Sequence, residues 1–428
     1  MNKSKKAAIL SALFMGAGQL YNKNIVKSIA LAALEIVVIF FGIPYFQYSM
    51  WGLVTLGETA QYFVGGHAYG DHSIRLLMNG ILALIAAAVV VGIYAYNIAD
   101  AYKTAKRVEE GKYVRVSVNI LDRLDRMFPF LVLLPAIIAC LSLVVFPVVS
   151  SFAIAFTNYS SPYHIPPKNL VDWVGFENFK KLFTMEIWSN TFTKVVGWTI
   201  VWGLCCTALT YSLGMILALI TNSSLIRFKK FWRSILVLPM ATPGFISLLI
   251  FRLMFNGMGP INQILNKMGL ASVRWLTDPN IAKLVLIGVN TWLATAGTMV
   301  YISGILTSIP TELYEAASVD GATGAQKFKS ITLPLVLHQT APMLLMNLAG
   351  NFNNFGAIYL LTDGGPINPS YQYAGSTDIL LSWVYKMTMS VNQYSMATSI
   401  SILIFIVIAT FSVFNLRRTK SFKEEDIM

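Results

Sequence analysis

Eight runs of mostly apolar residues constrain this chain more than any other feature. They lie near 25–45, 78–99, 128–156, 193–221, 235–255, 283–306, 336–361 and 396–416, each close to the roughly 20 residues that a helix needs to cross a bilayer. In hydrocarbon every backbone N–H and C=O must find its partner inside the element, so runs of this kind form helices. The pattern predicts an all-α, polytopic membrane protein with about eight spanning helices. The composition agrees: 56% of the 428 residues are hydrophobic and 12% charged, where an ordinary soluble globule carries about a quarter charged. The run from Ala7 to Leu20 is too short to span and holds Gly16 and Gly18, so it is expected to lie in the interface or to re-enter. Lys3, Lys5 and Lys6 before it mimic a signal peptide, but no A-x-A-like cleavage site follows, and the N-terminus reads as retained.

A net charge of +12 raises the question of nucleic acid, but the basic residues sit in short loops beside apolar runs, which is the pattern of membrane orientation. With the N-terminus inside, the inner segments carry 22 of the 32 lysines and arginines and the outer loops eight. Both termini are therefore expected in the cytoplasm. The charge-mixed segment 100–127, with Asp100, Lys103, Glu109, Glu110, Arg123 and Arg126, separates the first two spans from the last six, dividing the chain into 1–125 and 126–428. Cys140, Cys205 and Cys206 lie inside apolar segments without metal-ligand spacing and read as packing residues. Glu35 lies within the first span, where one acid cannot form a proton relay, and is expected to make a structural hydrogen bond. In the fifth span, Pro239 and Pro243 remove backbone donors and should interrupt the helix, as a gate or as a kink.

Between the sixth and seventh spans, at 307–335, lies a polar stretch. Pro310 and Thr311 offer a helix start, Leu313, Ala316 and Ala317 share one face, and Gly321 ends the helix. Thr323 and Gln326 have the spacing of a capping box that opens a second helix. The expectation is a helix, a glycine turn and a helix, forming a compact knob that fits a partner's groove. A second constellation lies in the membrane. Asn347, Asn351 and Asn354 fall at i, i+4 and i+7 of the seventh span and are expected to share one helix face, with Asn353 pointing elsewhere. On the sixth span Asn290, Thr291, Trp292, Thr295 and Thr298 add neutral hydrogen-bonding groups beside an aromatic ring. A sugar needs paired donors and acceptors for its hydroxyls and a flat apolar face for its ring. Asparagines that only tie helices together are the alternative reading.

At the polar stretch the sequence resembles a known family. Glu315-Ala316-Ala317, three residues, Gly321, nine residues and Ile331-Thr332-Leu333-Pro334 look like the cytoplasmic coupling loop of binding-protein-dependent ABC importer permeases. The resemblance implies that Glu315, Ala316, Asp320 and Gly321 sit in a cleft on an ATPase subunit and pass its closure to the membrane helices. It covers roughly 126–420, implying a type I importer core of six spans, with two extra spans in front as in the larger subunit of maltose-type permeases. Trp173-Val-Gly175-Phe-Glu-Asn178 and Ile261-Asn262 through Trp275-Leu276 and Asp278-Pro279 are weaker echoes of sugar permeases. Asn351-Phe-Asn-Asn354-Phe355, Leu360-Leu-Thr-Asp-Gly-Gly-Pro366, Ala374-Gly375 and Thr377-Asp378 closely resemble the maltose/maltodextrin permease that forms the sugar site in the membrane. Carried over, that resemblance implies sugar contacts at Asn290, Leu293, Asn351 and Asn354. Asn347 replaces a serine at a further contact position, and Ala294, Gly297 and Gly350 stand where the family member has glycine, tyrosine and phenylalanine. These differences imply a longer or different oligosaccharide, or weaker binding. The implied partners are a second permease in a heterodimer, an ATP-binding subunit dimer and an extracellular sugar-binding lipoprotein, because the external loop 157–191 lacks the large insertion of relatives from two-membrane bacteria.

The resulting expectation is a subunit that imports an oligosaccharide, maltodextrin first and a galacto-oligosaccharide or raffinose-type sugar second. An ion-coupled secondary sugar transporter is the rival, but only Glu35 is clearly mid-span, and such carriers usually hold buried acids or histidines. No H-E-x-x-H or G-x-S-x-G pattern suggests an enzyme, no phosphate-binding G-x-x-x-x-G-K-[ST] is present, and His67, His72, His164 and His338 are scattered. Energy is therefore expected from a separate subunit, and no cofactor, metal or nucleic acid is called for.

Overall fold

The computed structural model describes residues 2–111, 128, 132–223 and 225–418, with side chains to 410. The boundary expected at 125/126, and Arg123 and Arg126 with it, lie outside the described residues. In chain order the helices are α1 (Lys3–Leu13), α2 (Ala17–Tyr21), α3 (Ile25–Thr55), α4 (Ser73–Glu109), α5 (Val132–Ala155), α6 (Glu177–Thr184), α7 (Glu186–Asn222), α8 (Lys229–Ala241), α9 (Gly244–Met254), α10 (Pro260–Lys267), α11 (Pro279–Ser308), α12 (Thr311–Val319), α13 (Gly324–Phe352), α14 (Phe355–Thr362), α15 (Leu380–Met389) and α16 (Tyr394–Arg418). A short antiparallel hairpin, β1 (Tyr62–Val64) and β2 (His67–Tyr69), lies between α3 and α4. Among the described residues six helices, α3, α4, α5, α7, α11 and α13, are long and apolar enough to cross a membrane. The protein is thus a multi-pass helical membrane protein.

Two of the expected spans are broken. The fifth becomes α8 and α9, bent by 89° at their junction. Thr242, ahead of Pro243, is driven into extended backbone (φ −99°, ψ 137°), because the proline ring crowds the α region of the residue before it. Its hydroxyl meets the Ser247 hydroxyl at 3.0 Å. The seventh ends at Phe352 and restarts as α14, for a reason given below.

The described chain divides by packing into two compact units. The first holds Met1–Asn178 and Asn392–Ile402. Here α1 and α2, from the run too short to span, form an elbow bolted to α4. The Asn97 amide donates to the Ser11 carbonyl (2.9 Å) and accepts from the Gly16 N–H (3.2 Å), and the Gln19 amide donates to the Asn97 carbonyl (2.9 Å). Glu35 accepts the Met15 N–H, the structural role expected of it. Lys27 pairs with Asp100 at 3.1 Å. Further along, Leu56, Leu77, Ile81 and Val171 form a small core. Cys140, in α5, is exposed on this chain.

The second unit holds Phe179–Val391 and Leu403–Met428. Its axis is the pairing of α7 with α11. One core joins Trp198, Trp202 and Cys206 of α7 to Leu286 and Val289 of α11 and to Ile358 and Leu361 of α14. A second joins Met215 and Ala218 of α7 to Met299 and Ile302 of α11 and Val336 of α13. Between membrane spans the lipid tails are as apolar as these side chains, so what holds the helices here is close van der Waals packing and interhelical hydrogen bonding, not removal from water.

Candidate functional site: an exposed hairpin and an amide cluster

Both constellations named from sequence fall in the second unit. The segment from α12 into the first turns of α13 folds as the helix, turn and helix that its residues dictate. Helix α12 ends in a Schellman motif: the Gly321 N–H donates to the Ser318 carbonyl (3.1 Å) and the Ala322 N–H to the Ala317 carbonyl (2.9 Å), so the last carbonyls are satisfied without a partner chain. Gly321 takes φ +77°, the left-handed region that costs an L-residue roughly 1–2 kcal/mol. The capping box is present: Thr323 Oγ1 accepts the Gln326 N–H (3.4 Å) while Gln326 Oε1 accepts the Thr323 N–H (2.7 Å). Lys327 Nζ donates to Ser318 Oγ across the turn (2.6 Å), and the Tyr314 and Thr332 hydroxyls meet at 2.9 Å. The hairpin is therefore closed on itself. What it turns outward is Glu315, Ala316, Asp320 and Gly321, all exposed, with Val319 at 88% exposure beside them. Sequence reasoning passed over Val319. Its signal was a β-branched apolar residue next to the glycine turn, where no core position exists to receive it.

The asparagines do come together, but not by the expected route. Helix α13 ends at Phe352, Asn353 closes it, and Asn354 begins α14 as its cap, accepting the Ala357 N–H through its side chain (3.2 Å). Asn347, Asn351 and Asn354 therefore do not share one helix face. Asn351 and Asn354 converge instead on Asn290 of α11. Asn354 Nδ2 donates to Asn290 Oδ1 (2.8 Å), Asn290 Nδ2 donates to Asn351 Oδ1 (3.2 Å), and Asn351 Nδ2 donates to Thr207 Oγ1 of α7 (3.0 Å). The Trp202 indole N–H donates to the Asn351 carbonyl (2.9 Å). Three asparagines and a threonine from α7, α11, α13 and the start of α14 thus make one hydrogen-bonded chain. Thr207 and Trp202 were missed from sequence, since neither has a spacing that sets it apart on an apolar helix.

The remaining expected contacts disperse. Asn347 is half-buried, and among the described residues its amide has no hydrogen-bond partner. Leu293 packs against the core around Trp198. Trp292 lies on another side of α11, half exposed, with its ring edge-on to Phe251 at 5.3 Å. There it lines an apolar cavity of about 910 Å³ together with Leu213, Pro239, Thr291 and Thr295. Trp292 and the amides are thus separate surfaces.

Paired long spans, a broken span and a self-capped hairpin between two spans describe a multi-pass helical membrane protein. Comparison with known proteins agrees: residues 210–421 match the binding-protein-dependent transport system inner membrane component family. The galactooligosaccharides transport system permease protein GanP of Bacillus subtilis (strain 168) is 39% identical over 431 residues, covering 98% of this chain and 99% of that one. The maltodextrin transport system permease protein MdxF of the same organism is 38% identical over 443 residues, covering 100% and 99%. A solved bacterial ABC transporter involved in the import of the acidic polysaccharide alginate superposes with a TM-score of 0.55 at 25% identity, over 70% of this chain and 98% of that one. The chain belongs to the binding-protein-dependent transport system inner membrane component family, as a permease of its larger, sugar-transporter type.

Proposed function

We propose that this subunit imports a neutral oligosaccharide, with maltodextrin as the first reading, and that Asn290, Asn351 and Asn354 touch the sugar while Glu315, Ala316, Asp320 and Gly321 seat in an ATPase subunit. The observation that carries the reading is the coexistence, in one unit, of a self-satisfied exposed hairpin and an inward chain of uncharged amides. A sugar hydroxyl both donates and accepts, so it replaces an amide-to-amide link without stranding either partner. No charged side chain is part of that chain of bonds, which suits a neutral solute. Leu293 and Asn347 stand one helical turn from Asn290 and Asn351 and make no bond to the amides among the described residues, and Trp292 belongs to the neighbouring apolar cavity. A galactooligosaccharide is the second reading, favoured by the relative matched over nearly the whole chain at 39% identity.

In this reading the N- and C-termini and the hairpin face the cytoplasm, following the excess of lysine and arginine in those segments. A dimer of ATP-binding subunits docks at the hairpin, a second permease completes the path, and a sugar-binding lipoprotein delivers solute from outside. This chain supplies no ATP-hydrolysing site of its own. Uptake of a panel of labelled oligosaccharides by the reconstituted complex tests it: maltodextrins should be carried in an ATP-dependent way. Carriage of galactooligosaccharides alone would replace the first reading by the second.

A further inference from the structure

The second unit holds a third constellation, along α14 and across to α15. Phe355 and Tyr359, one turn apart on α14, stack at 5.0 Å, and Tyr385 of α15 closes on them at 4.6 Å from Phe355 and 5.3 Å from Tyr359. With Asp363, Tyr373, Lys386 and Met389 these tyrosines line a cleft of about 400 Å³, a size at which small-molecule sites occur. Its floor is fixed from beneath. Asp378, whose side chain is fully buried, accepts from Lys386 Nζ (2.8 Å), the Gly375 N–H (2.7 Å) and Ser382 Oγ (2.7 Å). Gly364, at φ +69°, lies against that carboxylate so closely that an added Cβ would fall 2.0 Å from Asp378 Oδ1.

We propose that this cleft is a second carbohydrate subsite, through which an oligosaccharide chain passes next to the amide cluster; the proposal rests on the sugar-import reading above. The chemistry selects the ligand. Lys386 is answered by Asp378, with the Asp363 carboxylate on the rim, so no excess positive charge is left to hold a phosphate or an acidic sugar. Three tyrosines offer flat apolar faces with hydroxyls at their edges, which matches a pyranose ring with its C–H face and hydroxyl rim. The placement gives the subsite its purpose. Helix α14 is eight residues long, about 12 Å at 1.5 Å per residue. Asn354 caps its start, Tyr359 stands at its middle and Asp363 closes its end, so a linear saccharide running along it meets both sites, whereas a short one fills only one.

The test uses proteoliposomes of the whole complex and the variants Tyr359→Leu/Tyr385→Leu and Tyr385→Phe. With the double variant, uptake of maltopentaose at low concentration should fall about fivefold to tenfold, the loss of two ring contacts, while maltose uptake changes less than about twofold. Tyr385→Phe, which keeps the ring, should stay within about twofold for both sugars. Equal losses for the two sugars, or no loss for maltopentaose, overturns the subsite. Tryptophan fluorescence of the purified complex, in which Trp188 packs edge-on against Tyr373 at 6.0 Å, gives a readout that needs no transport. If the wild-type complex imports no maltodextrin, a maltopentaose titration that vanishes in the double variant keeps the cleft and overturns the import reading. The lack of any titration overturns the cleft.

Discussion

The hairpin at 311–334 and the amide chain around Asn290 are both polar constructions attached to α13, and they solve the problem of satisfying polar groups in opposite ways. In the hairpin every bond that shapes the turn is made between residues at most 18 apart, and none needs another span. In the amide chain the links join residues 61, 64 and 144 apart in sequence, across separate helices. The first can therefore move as one piece and present the same surface to a partner wherever the spans lie. The second exists only while four helical elements hold one arrangement, and any shift of α11 against α13 must exchange its bonds. A rigid lever at one end of a span and a bond pattern sensitive to helix position at the other are what a coupled transporter requires.

Four experiments break or sharpen this contrast. The largest effect is expected from Asn351→Leu with Asn354→Leu, which leaves Asn290 and Thr207 without their partners. Each stranded group costs about 1–3 kcal/mol, so uptake should drop about a hundredfold, while cross-linking of the hairpin to the ATPase is unchanged. Loss of the cross-link as well would mean that the two regions are not independent. Next, Gly321→Val forces a β-branched residue into the left-handed region although nothing lies within 4 Å of the added Cβ. The cost is conformational, and sugar-stimulated ATP hydrolysis should fall about tenfold. Gly321→Asn, which tolerates that backbone, should retain most of it. A smaller loss, about fivefold in ATPase affinity, is expected for Val319→Glu, because a charge replaces the most exposed apolar atoms of the knob. Unchanged affinity would place the contact elsewhere on the hairpin. The smallest effect lies outside both regions. The N–H groups of Glu58 and Thr59 hold the Asp71 carboxyl below the usual carboxylate range. A depressed acid stabilises its loop above its ordinary range and loses that contribution as pH falls through the depressed one. The protection of the Glu58 and Thr59 N–H groups against hydrogen exchange, taken relative to the unfolded rate at the same pH, should then fall in acid, and in Asp71→Asn at neutral pH, with no change in uptake.

How far the sequence could be read follows from the same contrast. Glycine at 321, threonine and glutamine at 323 and 326 and the proline at 310 encode their geometry within a few residues, so the hairpin was legible down to its capping box. The apolar runs announced the long helices, and the prolines at 239 and 243 announced the broken span. The seventh span was misjudged because the apolar run resumes at Phe355 directly after the asparagines at 353 and 354. Two consecutive asparagines, the second a preferred helix-cap residue, were a restart signal hidden inside it. Asn290, Asn351 and Asn354 were identifiable as polar residues at membrane depth, yet what joins them is tertiary. The same holds for Asn97, Gln19 and Ser11, whose bonds span 78 to 86 residues for those reaching Asn97 and left no mark on the local pattern.

The central claim is that work done by another subunit, received at the hairpin, moves solute past the amides. The most direct measurement is maltopentaose accumulation by proteoliposomes of the complex, with and without internal or external ATP, under imposed proton and sodium gradients. Accumulation that requires ATP on the hairpin side and ignores both gradients is the predicted result. Accumulation driven by either ion gradient without ATP would contradict it.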